Sequence, residues 1–106
     1  MGGGSDHEPQ KLLKSVVNDA GRHFFDAPAA LSMDECVIRL GLLDGINIVS
    51  MMPAEIGQWL IFQFEGYAFS ASNPFGEVWF FADDPETPDG ILQKIALCVV
   101  GPPKAS

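Results

Sequence analysis

The chain has 106 residues, 47% of them hydrophobic, and a formal net charge of −8. This length fits one domain with an ordinary core, and the apolar content excludes intrinsic disorder of the whole chain. The sequence holds no uninterrupted apolar run of about 18 residues, so it predicts no membrane-spanning helix. An acidic protein repels nucleic acid and anionic membranes and attracts basic partners. We therefore expect a basic protein partner, and neither nucleic acid nor a membrane.

The negative charge is concentrated in one part of the chain. Residues 40–93 contain eight carboxylates and no Lys or Arg. The remaining residues carry six acidic and six basic side chains, so their net charge is zero. Two interpretations are open. The excess of acid either steers a basic partner or keeps a small domain soluble.

Residues 59–83 give the clearest structural signal, three β-prone runs separated by two turns. A two-residue turn at 65–66 and a four-residue turn at 73–76 fix which side chains share a face. The predicted pairs are Phe64 with Tyr67, Phe62 with Phe69, Leu60 with Ala71, Ala71 with Val78 and Phe69 with Phe80. The resulting uncharged face comprises Leu60, Phe62, Phe64, Tyr67, Phe69, Ala71, Val78, Phe80 and Ala82.

Helical spacing of apolar residues predicts a first helix that starts near Pro9 and ends between Gly21 and Phe25. Pro9 suits the first turn, Asp6 or His7 could cap it, and Gly21 weakens its end. Its apolar face comprises Leu12, Leu13, Val16, Val17, Ala20 and Phe24. Residues 1–7 are expected to be a flexible leader. They lack the basic start and apolar stretch of a signal peptide, so a cytoplasmic location is expected.

The segment that follows this helix admits two interpretations. Ser32 and Glu35 have the spacing of a capping box, which indicates a helix. An Asp-Gly dipeptide at residues 44–45 between two β-prone runs is typical of a hairpin turn. Pairing across that turn segregates most apolar side chains to one face. We therefore favour a hairpin of residues 36–43 and 46–52, with a helix in place of the first run as the alternative.

The sequence of residues 87–101 predicts a second helix at the end of the domain. Thr87 is the expected cap and Pro88 the first helical residue, and Gly101 followed by two prolines ends the helix. Its buried face comprises Ile91, Leu92, Ile95, Cys98 and Val99. Residues 102–106 are expected to be a loose tail.

The predicted architecture is a single α+β domain over residues 8–101. An N-terminal helix precedes a five-stranded antiparallel meander, made of a hairpin plus a three-stranded meander, and a C-terminal helix follows. Both helices are expected to cover the apolar face. Placing the apolar faces of the second and third strands on the same side of the sheet requires an even-length connection or a bulge between them.

The opposite face of the meander carries the candidate partner-binding residues. They are Trp59, Ile61, Glu77, Trp79, Phe81 and Asp83. Aromatic anchors with an acidic surround are typical of a protein-binding surface. The alternative is that the first helix, the leader or a second copy of the chain covers these aromatic side chains. The binding hypothesis depends on the same strand pairing as the fold. A helix at residues 36–43 would therefore count against both the predicted fold and the binding hypothesis.

No pattern indicates catalysis, a cofactor or a metal. Residues 83–89 hold several carboxylates but lack the alternating ligands and the central Gly of a calcium loop. Cys36 with His23 is a conceivable catalytic pair, yet no cysteine-hydrolase motif surrounds them. Cys36 and Cys98 form no Cys-x-x-Cys pair and are expected in the core. We predict that the protein is not an enzyme and binds no cofactor.

Three functions follow as hypotheses. The first is a non-catalytic acidic binding module, of the inhibitor or immunity type, that engages a basic protein through its sheet. The second rests on a resemblance, because an acidic chain of helix, hairpin meander and helix resembles the class I chaperones of type III secretion. That resemblance implies a homodimer that binds an extended effector segment, although the chaperones' mid-sheet helix has no counterpart in residues 52–58. The third is a small enzyme or ligand-binding domain without a recognisable motif.

Overall fold

A computed structural model describes residues 13–19 and 21–101 as an antiparallel sheet with two helices. The strands are β1 (Val16–Asn18), β2 (Gly21–Asp26), β3 (Asn47–Pro53), β4 (Gln58–Phe64), β5 (Tyr67–Ser72) and β6 (Trp79–Ala82), and the helices are α1 (Met33–Gly41) and α2 (Asp89–Val100). The strand order is β1-β2-β6-β5-β4-β3. The fold is therefore α+β, as predicted, but with six strands. The predicted leader, the predicted start of the first helix and the predicted tail lie outside the described residues.

A β-hairpin stands where the sequence predicted the end of a first helix. Strand β1 pairs with β2, and β2 pairs in turn with β6, so the helix prediction is wrong for the described residues. Gly21 opens β2 with a φ of 110°, which a helix cannot contain. The two β-branched residues Val16 and Val17 also favour a strand. Pairing with β6 buries Phe24 and Phe25 at once, which a lone amphipathic helix would not do.

A β-bulge in β2 decides which of its side chains face the core. His23 pairs with Phe81 and Phe25 pairs with Phe80, so the register shifts by one residue at Phe24. The extra residue lets Phe24 and Phe25 both enter the core, where their rings contact Phe80. It also changes the alternation, so that His23 and Asp26 lie on the same face of the sheet.

Helix α1 occupies residues that were predicted as the first run of a hairpin. The predicted N-cap is observed, since the Ser32 Oγ accepts a hydrogen bond from the Glu35 N–H at 3.1 Å. Met33, Cys36 and Leu40 are buried at helical spacing. The hairpin prediction for residues 36–43 is therefore wrong, and the alternative helix is observed. The second predicted run, residues 46–52, does form a strand.

The central meander follows the predicted faces. The β4–β5 register is confirmed in full, with Phe64 opposite Tyr67 across the two-residue turn. The β5–β6 register differs by two residues, since Ala71 pairs with Phe80 instead of Val78. A shift of two leaves every side chain on its predicted face. A bulge in β3 between residues 48 and 50 shifts its register against β4 by one residue, which supplies the adjustment that the sequence called for between these strands.

Both helices pack on the apolar face of the sheet. This face was predicted for the helices, but only the C-terminal helix is observed as predicted, and α1 follows β2 instead of preceding the sheet. The core combines Cys36 and Leu40 of α1 with Leu92 and Ile95 of α2. The sheet contributes Phe24, Phe25, Leu60, Phe62, Phe64, Phe69, Ala71, Phe80 and Ala82. No helix in the described residues is long and apolar enough to cross a membrane.

Candidate functional site

The sheet face opposite the two helices, here called the open face, carries two rows of paired side chains. The first row runs across five strands through Asp26, Trp79, Ser72, Trp59 and Met52. The second row runs across six strands through Val16, His23, Phe81, Ser70, Ile61 and Ser50. Residues paired across neighbouring strands have Cβ atoms about 5 Å apart. The registers therefore bring four of the six predicted binding residues together.

The aromatic rings of the open face are in contact with one another. The Trp59 and Phe81 centroids are 6.1 Å apart, and the His23 ring lies 4.9 Å from Phe81 and 5.5 Å from Trp79. Phe75, which is 76% exposed, extends the group from the β5–β6 loop with its ring 5.7 Å from Trp79. The small β5 residues within the two rows, Ser70 and Ser72, leave room for these rings. Trp59 and Trp79 are half-buried rather than interior.

Two acidic residues at the margin of the open face stay exposed. The Glu77 Oε1 accepts a hydrogen bond from the Trp79 indole N–H at 3.2 Å, which holds the indole against the sheet. The Asp83 N–H donates to the Ala68 carbonyl at 3.1 Å, at the end of β6. Both carboxylates thus lie where the sequence analysis placed them, beside the aromatic group.

The ion pair of Asp26 with Lys14 lies at the β2 end of the first row, and its carboxylate orients His23. The His23 Nε2 bonds to the Asp26 carboxylate, whose other oxygen accepts from the Lys14 Nζ at 2.7 Å. Burial alone would raise the pKa of Asp26, but these hydrogen bonds and the charges of Lys14 and His23 outweigh burial and lower it. Asp26 is therefore ionised at neutral pH, and the Lys14 charge is engaged at this edge.

A recess of about 560 Å³ opens on the open face beside Trp59. Its lining residues are Asn18, Asp19, Gly21, Trp59, Ile61, Phe69, Ser70, Asp83 and Pro85. The residues around it include the aromatic Trp59, the aliphatic Ile61 and the acidic Asp19 and Asp83. An aromatic face and carboxylates both attract a cationic head group, and an aliphatic wall suits its hydrocarbon stem. The recess therefore has the chemistry to accept a lysine or arginine side chain.

Basic side chains in the described residues lie away from the middle of this surface. The Arg22 Nη1 bonds to Asp89 at 3.0 Å, and Arg39 donates to the Val99 carbonyl at 2.9 Å. Strands β3, β4, β5 and β6 contain no Lys or Arg. The open face between β3 and β6 consequently carries no basic side chain of its own, and the acidic residues Glu77 and Asp83 lie at its margin.

The sequence analysis missed three residues of this site, His23, Asp26 and Asp19. All three fall in or beside the segment that was predicted to be helical, so their position on the sheet was not accessible. The adjacent Phe24-Phe25 pair was the available signal, because two neighbouring buried aromatics in a strand require a bulge.

The conceivable pair of Cys36 with His23 does not form. Cys36 lies on the buried side of α1 in the core, and His23 lies on the open face, so the sheet separates them. Burial raises the pKa of Cys36 to about 11, so this thiol is protonated at neutral pH. The Cys98 Sγ donates to the Arg39 carbonyl at 2.8 Å. Both thiols are free. Cys36 lies in the core as predicted, but Cys98 is only partly buried and lies outside the core cluster.

Within residues 83–89, Asp84 and Thr87 serve the backbone of their own loop, whereas Asp89 pairs with Arg22. The Asp84 Oδ1 accepts from the Glu86 N–H at 2.9 Å, and the Thr87 Oγ1 donates to the Asp84 carbonyl at 2.7 Å. Thr87 therefore does not cap α2 as predicted. The N-cap position is Pro88, which has no side-chain hydrogen bond.

Fold and site together define an α+β protein whose helices cover one face of an antiparallel sheet and leave an aromatic face on the other. Comparison with known proteins found no family model, no curated protein and no solved structure that matches the chain. The resemblance to class I secretion chaperones depended on an N-terminal helix. The described residues begin instead with the hairpin of β1 and β2, so the element order gives that resemblance no support.

Proposed function

We propose that this protein is a non-catalytic binding module that engages a basic protein through the open face of its sheet, in the manner of an inhibitor or immunity protein. One observation carries the proposal. The registers align Trp59, Trp79, Ile61 and Phe81 in two adjacent rows on a face where neither α1 nor α2 packs. Interfaces concentrate binding energy in such clustered aromatic side chains.

The charge around the rows selects the partner. Glu77 and Asp83 border the aromatic group, and Asp19 joins Asp83 at the recess. A complementary basic surface would accelerate association and orient the complex, and its lysine or arginine side chains would fit the recess. The helix found at residues 33–41 removes a predicted strand without removing this surface, because β2, β4, β5 and β6 form it.

The absence of a catalytic role is part of the proposal. His23 is held between two aromatic rings and bonded to Asp26, an arrangement that fixes a side chain in a contact surface. A general base needs a nucleophile or substrate proton within hydrogen-bond reach. The sheet keeps the Cys36 thiol away from His23.

Trp79→Ala tests the open face directly. We expect immobilised protein to capture basic proteins from its source lysate at about 50 mM salt and to release them at about 500 mM, since screening shortens the range of charge attraction. Trp79→Ala should lose this capture by tenfold or more. Leu42→Ala is the matched control, because Leu42 is 81% exposed on α1, outside the open face.

Two results would count against this function. Capture that does not change between low and high salt would show that charge attraction does not contribute to binding. Capture by a folded Trp79→Ala variant that equals the unsubstituted protein would remove the open face as the binding surface. Near-ultraviolet circular dichroism of each variant verifies that the fold is retained.

A further inference from the structure

Strand β3 leaves one edge of the sheet exposed in the part of the chain that the structure describes. It is the last strand in the order β1-β2-β6-β5-β4-β3, and its seven residues carry no charge. Its apolar side chains expose between 37% and 51% of their surface, and they are Ile48, Val49, Met51 and Met52. An uncharged, exposed edge strand offers unpaired backbone groups to another chain.

The opposite edge of the sheet is protected in the ways that proteins commonly use. Strand β1 has three residues, and Lys14 stands just before it in an ion pair with Asp26. Short edge strands and nearby lysines discourage pairing. Strand β3 has no lysine, and its single proline, Pro53, is its last residue. Its bulge at Val49 interrupts the regular ladder, yet residues 50–53 pair with β4 without interruption.

We propose that β3 is a docking edge that accepts an extended segment of the basic partner as an additional strand. The inference rests on the proposed function, because it names the conformation and chemistry of the partner segment. Strand addition gives affinity through backbone hydrogen bonds and specificity through alternate side chains. Alternate side chains of the added strand continue the two open-face rows beyond Met52 and Ser50. The edge and the open face thus form one continuous surface.

Charge at the two ends of β3 favours a basic segment over a second copy of this chain. Asp44 precedes β3, and Glu55 follows it in the turn to β4. In an antiparallel pair of two β3 strands, the Asp44 end of one copy lies beside the Glu55 end of the other, so like charges meet at both ends. A segment with lysine or arginine at its ends meets opposite charges there instead.

A synthetic peptide provides a direct test of this edge. The probe is an acetylated ten-residue peptide of alternating lysine and valine, and the control is the same peptide with every backbone amide N-methylated. The control keeps the charge and the side chains but cannot donate backbone hydrogen bonds. We expect N-methylation to weaken binding at least tenfold in calorimetry. We also expect the probe to slow hydrogen exchange of β3 amides at least tenfold without slowing that of β1 amides.

Matched substitutions on the two edges locate the peptide. Met51→Lys places a repulsive charge on β3, and Val17→Lys adds the same charge on β1, where Val17 is 62% exposed. Met51→Lys should weaken peptide binding at least tenfold, and Val17→Lys should change it less than twofold. Thermal unfolding of both variants verifies that each remains folded.

Several results would overturn the inference. Equal binding of the probe and its N-methylated control, no binding of the probe at 1 mM, or equal effects of the two lysine substitutions would each do so. A dimer in sedimentation that Met51→Lys converts to a monomer would assign the edge to a second copy. If Trp79→Ala abolishes partner capture and Met51→Lys leaves it intact, the edge inference fails and the proposed function stands. If Trp79→Ala leaves capture intact, the proposed function itself fails.

Discussion

Replacing Gly21 by alanine distinguishes the observed N-terminal hairpin from the helix that the sequence suggested. Gly21 opens β2 with a φ of 110°, and a β-carbon built there would lie 2.2 Å from the Ala82 carbonyl oxygen and 3.0 Å from that of Asp83. The obstructing atoms are backbone, so the β2–β6 ladder itself must shift. In a helix the same substitution would stabilise the protein by up to about 1 kcal/mol.

The magnitude follows from two costs. An L-residue held at positive φ costs roughly 1–2 kcal/mol. Accommodating a side chain in a closely packed site costs a further 1–3 kcal/mol, about that of overpacking. We expect Gly21→Ala to lower the free energy of unfolding by about 3 kcal/mol in sum. For a domain of this size that corresponds to a Tm roughly 12–18 °C lower.

Urea unfolding followed by tryptophan fluorescence measures this change, with two glycines as controls. Gly66 has a φ of 84° and open space around its Cα, so Gly66→Ala should cost only about 1 kcal/mol. Gly41 ends α1 with nothing within 4 Å, so Gly41→Ala should be neutral or stabilising by up to about 1 kcal/mol. A Gly21→Ala protein as stable as the unsubstituted one would refute the hairpin.

Further predictions concern the cap of α1, the buried thiol of Cys36 on that helix, and the Asp26 carboxylate on β2. Ser32→Ala removes the cap of the Glu35 N–H and should cost about 1 kcal/mol in urea unfolding, whereas Ser32→Asp should cost less; a neutral Ser32→Ala would contradict the capped helix. Because burial raises the pKa of Cys36 from 9.0 to about 11, the folded state favours the neutral thiol. Its stabilising contribution is present below pH 9 and is lost as pH rises towards 11, by about 2–3 kcal/mol. Cys36→Ala should flatten this dependence, and an unchanged slope would refute it. The Asp26 carboxylate, whose pKa is lowered, should stabilise the protein above its unfolded pKa and lose that effect as pH falls; Asp26→Asn should reduce the acid-side slope of stability, and an unchanged slope would contradict this.

The meander could be predicted because its first turn leaves little freedom. Glu65 and Gly66 take φ values of 55° and 84°, which a two-residue hairpin turn requires, and this fixes the β4–β5 register. The second turn was assigned two residues too short. Asn73 uses its side chain to accept from the Gln58 N–H at 2.6 Å, and Val78 is drawn into the core while its carbonyl accepts from the Ala27 N–H. Both contacts are tertiary and leave no local trace.

The two wrong assignments share one physical cause. The apolar spacing of residues 12–24 suits a helix as well as a strand, and pairing with the edge of β6 decides in favour of the strand. For α1 the local signals conflicted, and the fold decided between them. The hairpin was favoured because it would place apolar residues, Leu42 among them, on one face. Leu42 is in fact 81% exposed, so the fold does not require all of these side chains to be buried together. Of the open face, the β4–β6 residues followed from register, but His23 and Asp26 required knowledge of β2.

The pairing of β2 with β6 has a consequence for how the chain folds. Strands β3 to β6 each pair with their neighbour in sequence, but Arg22 pairs with Ala82, about 60 residues further along. Closing so long a loop is entropically costly, and such contacts form late. The N-terminal hairpin should therefore dock last during refolding. Its arrival brings His23 against Trp79 and Phe81, so a refolding chain acquires its complete aromatic surface only in the final step.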